Sequence, residues 1–193
     1  MKRVKTWGAV LAVGAAAMMT GCGGEKQATG VDPKVMADAL FAVMSSDRAN
    51  YTTMVVKRLS SDAKIIKADE HWQDLENGIP LPAQMFRYGA EKVAERTSDF
   101  TYSLQSLWPI NKQNAPRTDV EKQGLQFIAD NPGQNFYGEE TLGGVKYYTA
   151  VYADVAVATP CVDCHNQHKD SPRTDFKIGD TMGGVVVRIP LKG

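Results

Sequence analysis

Two cysteines and a histidine near the end of the chain carry the clearest chemical signal in the sequence. Cys161, Cys164 and His165 form a CxxCH pentapeptide, the spacing typical of covalent attachment of a c-type haem. Two thiols three positions apart can each add to a vinyl group on the same porphyrin edge, and the following histidine is then held beneath the iron. Imidazole is a common iron ligand. The pentapeptide therefore predicts one covalent haem c, with His165 as the proximal iron ligand.

Other functions of this pentapeptide stay open at the level of sequence. Cys161 and Cys164 could form a disulfide or a thioredoxin-like redox pair, although that motif normally opens a helix after a strand and needs no trailing histidine. They could also be half of a zinc site, but tetrahedral zinc needs four ligands, and the only other histidines are His71 and His168. The third alternative is a chance match to CxxCH, and the presence of an export signal in the same chain argues against it.

The first residues have the layout of an export signal. Three basic residues within the first five precede an apolar segment over 7–20, which is too short for a stable transmembrane helix. The tetrapeptide at 19–22, Met-Thr-Gly-Cys, resembles the lipobox of bacterial lipoproteins. We expect residues 1–21 to be a lipoprotein signal peptide and Cys22 to carry the lipid; the alternative is an ordinary signal peptide with a spare cysteine. Export supports the haem interpretation, because haem is attached to such motifs after translocation.

The rest of the composition is that of a single ordinary globular domain. In the 193 residues, 22 Lys and Arg balance 22 Asp and Glu. The chain therefore lacks the basic excess that is typical of nucleic-acid-binding proteins. Removal of residues 1–21 takes away three positive charges and leaves a net charge of −3. Residues 22–33 are rich in glycine and polar residues and are predicted to be a flexible tether. Residues 34–193 are then expected to form the folded, haem-binding domain.

The chain before the pentapeptide is predicted to begin with helices. The Asp-Pro pair at 32–33 is a helix start, and apolar residues recur at helical spacing to about residue 59. Pro82 is expected to begin a second helix. Thr118 and Glu121 resemble a capping box, so a third helix is expected to follow and to end near Asp130.

The hydrophobic period changes to two in the last third of the chain. Apolar and polar residues alternate over 145–152, and the glycine pair at 183–184 introduces a second alternating segment over 185–191. Helices that precede a small antiparallel sheet indicate an α+β fold.

The spacing does not identify the ligand on the other face of the iron. His168 follows His165 too closely to reach that face and is expected to be a solvated loop residue, while His71 is expected at the surface. Met54 lies on an apolar helical face, which on spacing alone favours a place in the core. The open candidates, besides water, are Met36, Met44, Met54, Met85, Met182, His71 and His168.

Four segments together resemble a bacterial family of single-haem c-type domains with a PAS-like fold, long classed as a domain of unknown function. They are the Leu-Pro-Ala-Gln-Met-Phe-Arg run at 81–87, the segment 102–114, the pentapeptide with residues 166–172, and the ending at 179–186. The likeness covers residues 34–193. Members occur as stand-alone exported proteins and as sensor domains of chemoreceptors and histidine kinases. The resemblance implies an antiparallel, PAS-like sheet and N-terminal helices packed around the haem.

The resemblance also implies a location for the distal ligand, which in the family varies among Met, His, Cys and water and comes from the N-terminal helical region. The stretch 51–56 looks like the helix that carries it, which makes Met54 the expected distal ligand. Trp108 and Asn111 are expected to line the haem cleft, with Lys112 or Arg117 facing a propionate; the alternative is a packed polar loop.

These features favour a lipid-anchored, single-haem cytochrome that exchanges single electrons with a partner protein on the periplasmic face of a bacterial membrane. The alternative is a haem-based sensor of redox state or of NO, CO or O₂. Because only two residues follow Leu191, such a sensor is expected to need a separate partner protein. A peroxidase-like enzyme needs an acid or base in an open distal site, and only His71 offers itself, so no enzymatic activity is expected.

Overall fold

The computed structural model describes residues 30–157 and 159–191. The predicted signal peptide over 1–21, the lipidation site at Cys22 and most of the predicted tether lie outside these residues. Within the described ranges, no helix combines the length and the apolar character needed to cross a membrane.

The first helical segment begins where the sequence predicted it and changes geometry halfway. Helix α1 spans Pro33–Asn50, and the side chain of Asp32 accepts a hydrogen bond from the Lys34 N–H at 2.7 Å. The chain then continues as a π-helix over Tyr51–Asp62, which no sequence signal indicated. The Tyr51 hydroxyl donates to the carbonyl of Pro80 at 2.7 Å and ties this segment to the chain before the next helix.

Two further helices follow as expected. A pair of two-residue parallel strands, β1 (Lys67–Ala68) and β2 (Gly78–Ile79), precedes helix α2 (Pro82–Ala94). Helix α3 spans Asp119–Asp130 and has the predicted capping box. The Thr118 hydroxyl accepts from the Glu121 N–H at 3.1 Å, and the Glu121 carboxylate accepts from the Thr118 N–H at 3.0 Å.

The sheet has four antiparallel strands, which confirms the α+β prediction. They are β3 (Thr101–Gln105), β4 (Phe136–Leu142), β5 (Val145–Val155) and β6 (Thr181–Pro190), in the spatial order β3-β6-β5-β4. Strands β5 and β6 contain the two alternating segments and are longer than predicted. Strands β3 and β4 were not predicted.

Each face of the sheet is covered by helices, so residues on both sides of β5 and β6 are buried. Ala150, Tyr152, Val185 and Val187 pack with residues of α1 and α2. Val151 and Val186 on the opposite face pack against Leu125 and Ile128 of α3. Gly184 permits this approach, because a Cβ atom there would lie 2.8 Å from the Cδ1 atom of Ile128.

A fourth helix, α4 (Thr159–Gln167), lies between β5 and β6 in the chain and contains the CxxCH pentapeptide. It packs at one end of the sheet on a small apolar cluster of Ala156, Phe176 and Met182. Each of these three residues is at most 7% exposed, and Cys161 packs against them. Helix α4 is thus fixed to the ends of the two central strands.

Candidate functional site

Helix α4 brings the three residues of the predicted haem motif onto one side. Cys164 and His165 lie three and four positions after Cys161, and residues at these spacings are neighbours on a helix surface. The sequence did not predict this helix.

The imidazole of His165 has a defined tautomer. Its Nδ1 atom lies 3.0 Å from the carbonyl oxygen of Cys161. A carbonyl oxygen can only accept, so Nδ1 carries the hydrogen, and the lone pair of the neutral ring is on Nε2. A hydrogen bond from one ring nitrogen to a backbone carbonyl is the usual support of a metal-binding histidine. The geometry therefore leaves Nε2 able to bind a metal.

Phe176 and Asn166 hold this end of α4; Asn166 lies in a segment that carries the family resemblance, but neither residue was predicted to have this role. The Phe176 ring is 3% exposed and meets the His165 ring edge to face, with centroids 6.0 Å apart. Asn166 donates to the Phe176 carbonyl at 2.9 Å and accepts from its N–H at 3.0 Å. A buried aromatic residue that lies eleven positions after His165 gives no local signal of this contact.

A cavity of about 450 Å³ lies beside His165. Its size is within the usual range for small-molecule and cofactor sites. The walls come from the end of α1, the start of α2, the loops after β1 and β3, the adjoining ends of β5 and β6, and α4. Among the lining residues are Arg48, Gln84, Arg87, Gln105, Trp108, Asn111, Asp154, Cys164, His165, His168 and Met182.

Trp108 and Asn111 line this cavity, where the sequence analysis expected them. The Trp108 ring packs edge to face on Phe176 at 5.8 Å, and the backbone N–H of Trp108 donates to the Ser106 hydroxyl at 2.9 Å. The Asn111 side chain accepts from the Gln113 N–H at 3.0 Å and so caps a short 3₁₀ helix (Lys112–Asn114). Both residues also stabilise their own loop, as the alternative interpretation proposed.

His168 is not the solvated loop residue that the sequence predicted. Its side chain is 17% exposed and lines the cavity, because its N–H bonds back to the Cys164 carbonyl and keeps it close to α4. Its Nδ1 accepts from the Asp170 N–H at 3.1 Å, and its Nε2 faces Glu70 at 3.4 Å. Both ring nitrogens are therefore engaged. The other histidine, His71, is a surface residue as expected, with 75% of its side chain exposed.

The cysteine pair lies in the first turns of α4, which follows strand β5, so its position alone does not separate it from a thioredoxin-like pair. Desolvation of the thiol and, to a smaller extent, the Glu70 carboxylate and Cys161 raise the pKa of Cys164 above its ordinary value. A zinc site is not supported, because no group of three or more His, Cys, Asp or Glu side chains within 30–157 and 159–191 could hold a metal ion.

The structure does not bring Met54 to the cavity. Met54 lies in the π-helix with 63% of its surface exposed, and it is not among the lining residues. Met182 does line the cavity, but it belongs to the cluster of Phe176, on the His165 side. The distal role of Met54 stays a prediction that this conformation does not support, because the π-helix places its side chain in solvent.

The cationic groups at the cavity are also different from those predicted. Lys112 and Arg117 do not line it, whereas Arg48 and Arg87 do. The Nε atoms of both arginines are buried and have no hydrogen-bond partner among the described residues. The same is true of the side-chain oxygen of Gln105. Buried polar atoms without a partner are rare in folded proteins and call for an explanation. Cys164 and the oriented imidazole of His165 line the cavity together with these donors, while Cys161, one turn earlier in α4, packs against the apolar cluster of Phe176. This set of residues fits a covalently bound haem.

Three comparisons with known proteins bear on this site. A family model described as "Tll0287-like: Tll0287" matches residues 26–190. The crystal structure of the cyanobacterial heme-protein Tll0287 is similar to this chain, with a TM-score of 0.51 and 17% identity over 83% of this chain and 98% of that one. At this identity the likeness shows the fold alone, and it confirms the predicted PAS-like fold. No curated protein matches the chain.

Proposed function

The chain belongs to the Tll0287-like family, which confirms the resemblance found in its sequence, and on that premise we propose that it is an exported, lipid-anchored haem protein that carries single electrons. Cys161 and Cys164 hold one haem through thioether bonds, and Nε2 of His165 binds its iron. The lipid on Cys22 anchors the domain to the periplasmic face of a bacterial membrane. The observation that carries the proposal is the hydrogen bond from His165 Nδ1 to the Cys161 carbonyl, beside a cavity of about 450 Å³.

The residues around the cavity suit a site that holds a redox group rigidly. Haem iron supplies a one-electron couple whose potential depends on its axial ligands, on hydrogen bonds and on burial. Phe176 and Asn166 fix the ring and the helix of His165, so the ligand moves little between the two oxidation states. This rigidity favours fast electron exchange, and the proposed function requires no turnover of a substrate.

A potentiometric titration followed by optical spectra, with and without CO, tests the proposal. For an electron carrier we expect one reversible one-electron transition and fast self-exchange. Steady turnover of peroxide by the same protein would contradict the proposal and support an enzyme.

One structural observation favours the second candidate function, a haem-based sensor of redox state or of a gas such as NO, CO or O₂. The cavity walls from α1 and α2 consist of Arg48, Leu81, Ala83, Gln84 and Arg87, none of which is a usual iron ligand. A sixth position filled by water or by a weak ligand would be open to exchange. Rapid displacement of that ligand by CO or NO would identify the sensor, which would then act through a partner protein.

A further inference from the structure

We propose that Arg48 and Arg87 bind the two propionate carboxylates of the haem, so that the carboxylate edge of the ring faces the walls formed by α1 and α2. This inference rests on the proposed haem site and adds its orientation and its anion-binding residues. The observation that carries it is the pair of buried Nε atoms, one on each arginine, that have no partner within the described part of the chain.

The guanidinium group of Arg48 uses both of its Nη atoms in an ion pair, and its Nε atom has no partner within the described residues. Its Nη1 and Nη2 atoms both contact the carboxylate of Asp154, at 2.5 and 3.2 Å, and 23% of its side chain is exposed. This bidentate pair fixes the plane of the guanidinium group. Arg48 lines the cavity while this ion pair is intact, and its buried Nε–H has no hydrogen-bond partner within the described residues.

Arg87 comes from the next element and has a looser environment. Its Nε atom lies 3.6 Å from an oxygen of Glu91, which is too long for a hydrogen bond, and the Glu91 side chain is 58% exposed. Its guanidinium carbon lies 5.3 Å from the centroid of the Tyr88 ring. Arg87 is therefore a cation at the cavity wall whose anionic neighbour is mainly in solvent.

The acidic side chains that line the cavity do not form hydrogen bonds with the Nε atoms of Arg48 and Arg87. Asp154 is paired with Arg48, and Asp69 is paired with Lys67 at 2.7 Å. Glu70 faces His71 and His168, on the side of the cavity near α4. The charged and titratable groups that line the cavity are Arg48, Arg87, Asp69, Glu70 and Asp154, together with Cys164, His165 and His168.

The covalent attachment agrees with this orientation. In haem the two vinyl groups and the two propionates occupy opposite edges of the porphyrin. Helix α4 supplies the thiols, whereas α1 and α2 supply the arginines, so different elements hold the two kinds of group. Arginine is well suited to a buried carboxylate, because it stays protonated and donates several hydrogen bonds from one rigid plane.

The test is the reduction potential of the holoprotein with Arg87 changed. R87Q removes the charge, R87K keeps the charge without the planar donor set, and R96Q is the matched control. Arg96 follows α2, is exposed and does not line the cavity. At alkaline pH, where the propionates are ionised, we expect R87Q to lower the midpoint potential, because loss of a nearby cation favours the ferric state. R87K should keep most of the wild-type potential, and R96Q should match wild type.

The pH dependence of the potential supplies a second measurement on the same variants. Loss of Arg87 should raise the pKa of the pH-dependent step by about 1–3 units, since an adjacent cation favours the ionised carboxylate by that amount. For Arg48 the variant R48Q/D154N removes both charges of the ion pair and leaves the local net charge unchanged. We expect it to raise the same pKa, because the Nε–H donor is lost.

The outcomes separate this inference from the proposed function. If R87Q matches R96Q in both potential and pH dependence, the assignment of Arg87 is overturned while the haem site stands. If R48Q/D154N is folded and titrates as wild type does, the assignment of Arg48 is overturned. If the wild-type protein matures without covalent haem, the proposed function itself fails, and this inference fails with it.

Discussion

The Nδ1 atom of His165 donates a hydrogen bond to the carbonyl oxygen of Cys161, one helical turn earlier, at 3.0 Å. The bond joins the first and the last residue of the CxxCH pentapeptide within α4. It fixes the tautomer of the imidazole and directs the lone pair to Nε2. The spacing in the sequence thus supplies the attachment residues, and the helix supplies the orientation of the iron ligand.

The first prediction concerns His165. We expect H165A protein to keep its covalent haem, because Cys161 and Cys164 are unchanged, and to lose the optical spectrum of the histidine-bound iron. Added imidazole should restore much of that spectrum by occupying the space of the missing ring. H71A is the matched control, since 75% of the His71 side chain is in solvent. An unaltered spectrum in H165A would show that another residue binds the iron.

The second prediction concerns Met54. The resemblance to the haem family makes it the expected distal ligand, and ferric M54A would then lose a low-spin spectrum. In the structure its side chain is 63% exposed and away from the cavity, so we expect M54A to have the spectrum and the midpoint potential of wild type. M85A is a suitable control, because Met85 is also exposed, at 48%. Loss of a low-spin spectrum in M54A alone would mean that residues 51–62 rearrange when haem binds.

The third prediction concerns Phe176, which packs on both His165 and Trp108. F176A should lower the free energy of unfolding by about 3–5 kcal/mol, the usual cost of removing a buried phenylalanine ring. It should also change the haem spectrum, because the His165 ring loses its edge-to-face neighbour. F127A removes a partly buried ring from the α3 side of the sheet and should destabilise the protein without a spectral change. Urea unfolding of the holoproteins, followed by circular dichroism, measures the first effect.

If F176A and F127A change the haem spectrum equally, Phe176 stabilises the fold but does not position His165.

The fourth prediction concerns the pH dependence of stability. Burial disfavours the charge on Glu121, but hydrogen bonds from Gln105 and the Arg117 N–H and the ion pair with Arg188 outweigh it, so the pKa of Glu121 is below its ordinary value of 4.5. The unfolded chain therefore takes up a proton first as acid is added. The stabilisation by Glu121 is complete above about pH 4.5 and is lost as the pH falls through the lower, folded-state pKa.

E121Q should reduce this dependence on acid and lower the free energy of unfolding at neutral pH by about 1–3 kcal/mol, the cost of an impaired buried polar contact. Glutamine can keep the capping box, so the helix start is preserved. D119N, in the exposed first turn of the same helix, is the control. An E121Q protein whose stability falls with acid as steeply as wild type would contradict the assignment.

The parts of the fold that depend on local interactions were predicted well. The cap at Asp32 and the capping box of Thr118 and Glu121 use side chains within three residues of the atoms they bond, so the sequence alone identifies them. Strands β5 and β6 were also identified, from the period of two in their sequences, but the burial of both their faces under helices was not predicted.

Strand β4 was missed because its central residues, Gly138-Glu139-Glu140, give a polar segment without a clear hydrophobic face. Glu140 is nevertheless part of the structure, since its carboxylate pairs with Arg188 at 2.7 Å. That partner lies 48 positions later in the chain, where spacing gives no signal.

The candidate site likewise has one part that the sequence predicts and one part that depends on tertiary packing. Cys161, Cys164 and His165 form a contiguous motif and could be identified from sequence. Arg48 and Arg87 are 39 positions apart, on different helices, and tertiary packing brings them to one cavity. The geometry around Met54 could not be predicted either, because the segment forms a π-helix, whose i→i+5 hydrogen bonds give more residues per turn than the α-helix assumed from the spacing and so turn Met54 in a different direction.

The central claim is a covalent haem on Cys161 and Cys164, and the intact mass of the mature protein, produced in a periplasm that attaches haem c, tests it most directly. We predict a coloured wild-type protein whose mass exceeds that of the lipidated polypeptide by one haem. The double variant C161A/C164A should lack this increment, and C22A should retain it while losing the lipid. A colourless wild-type protein with the mass of the lipidated polypeptide alone would contradict the account.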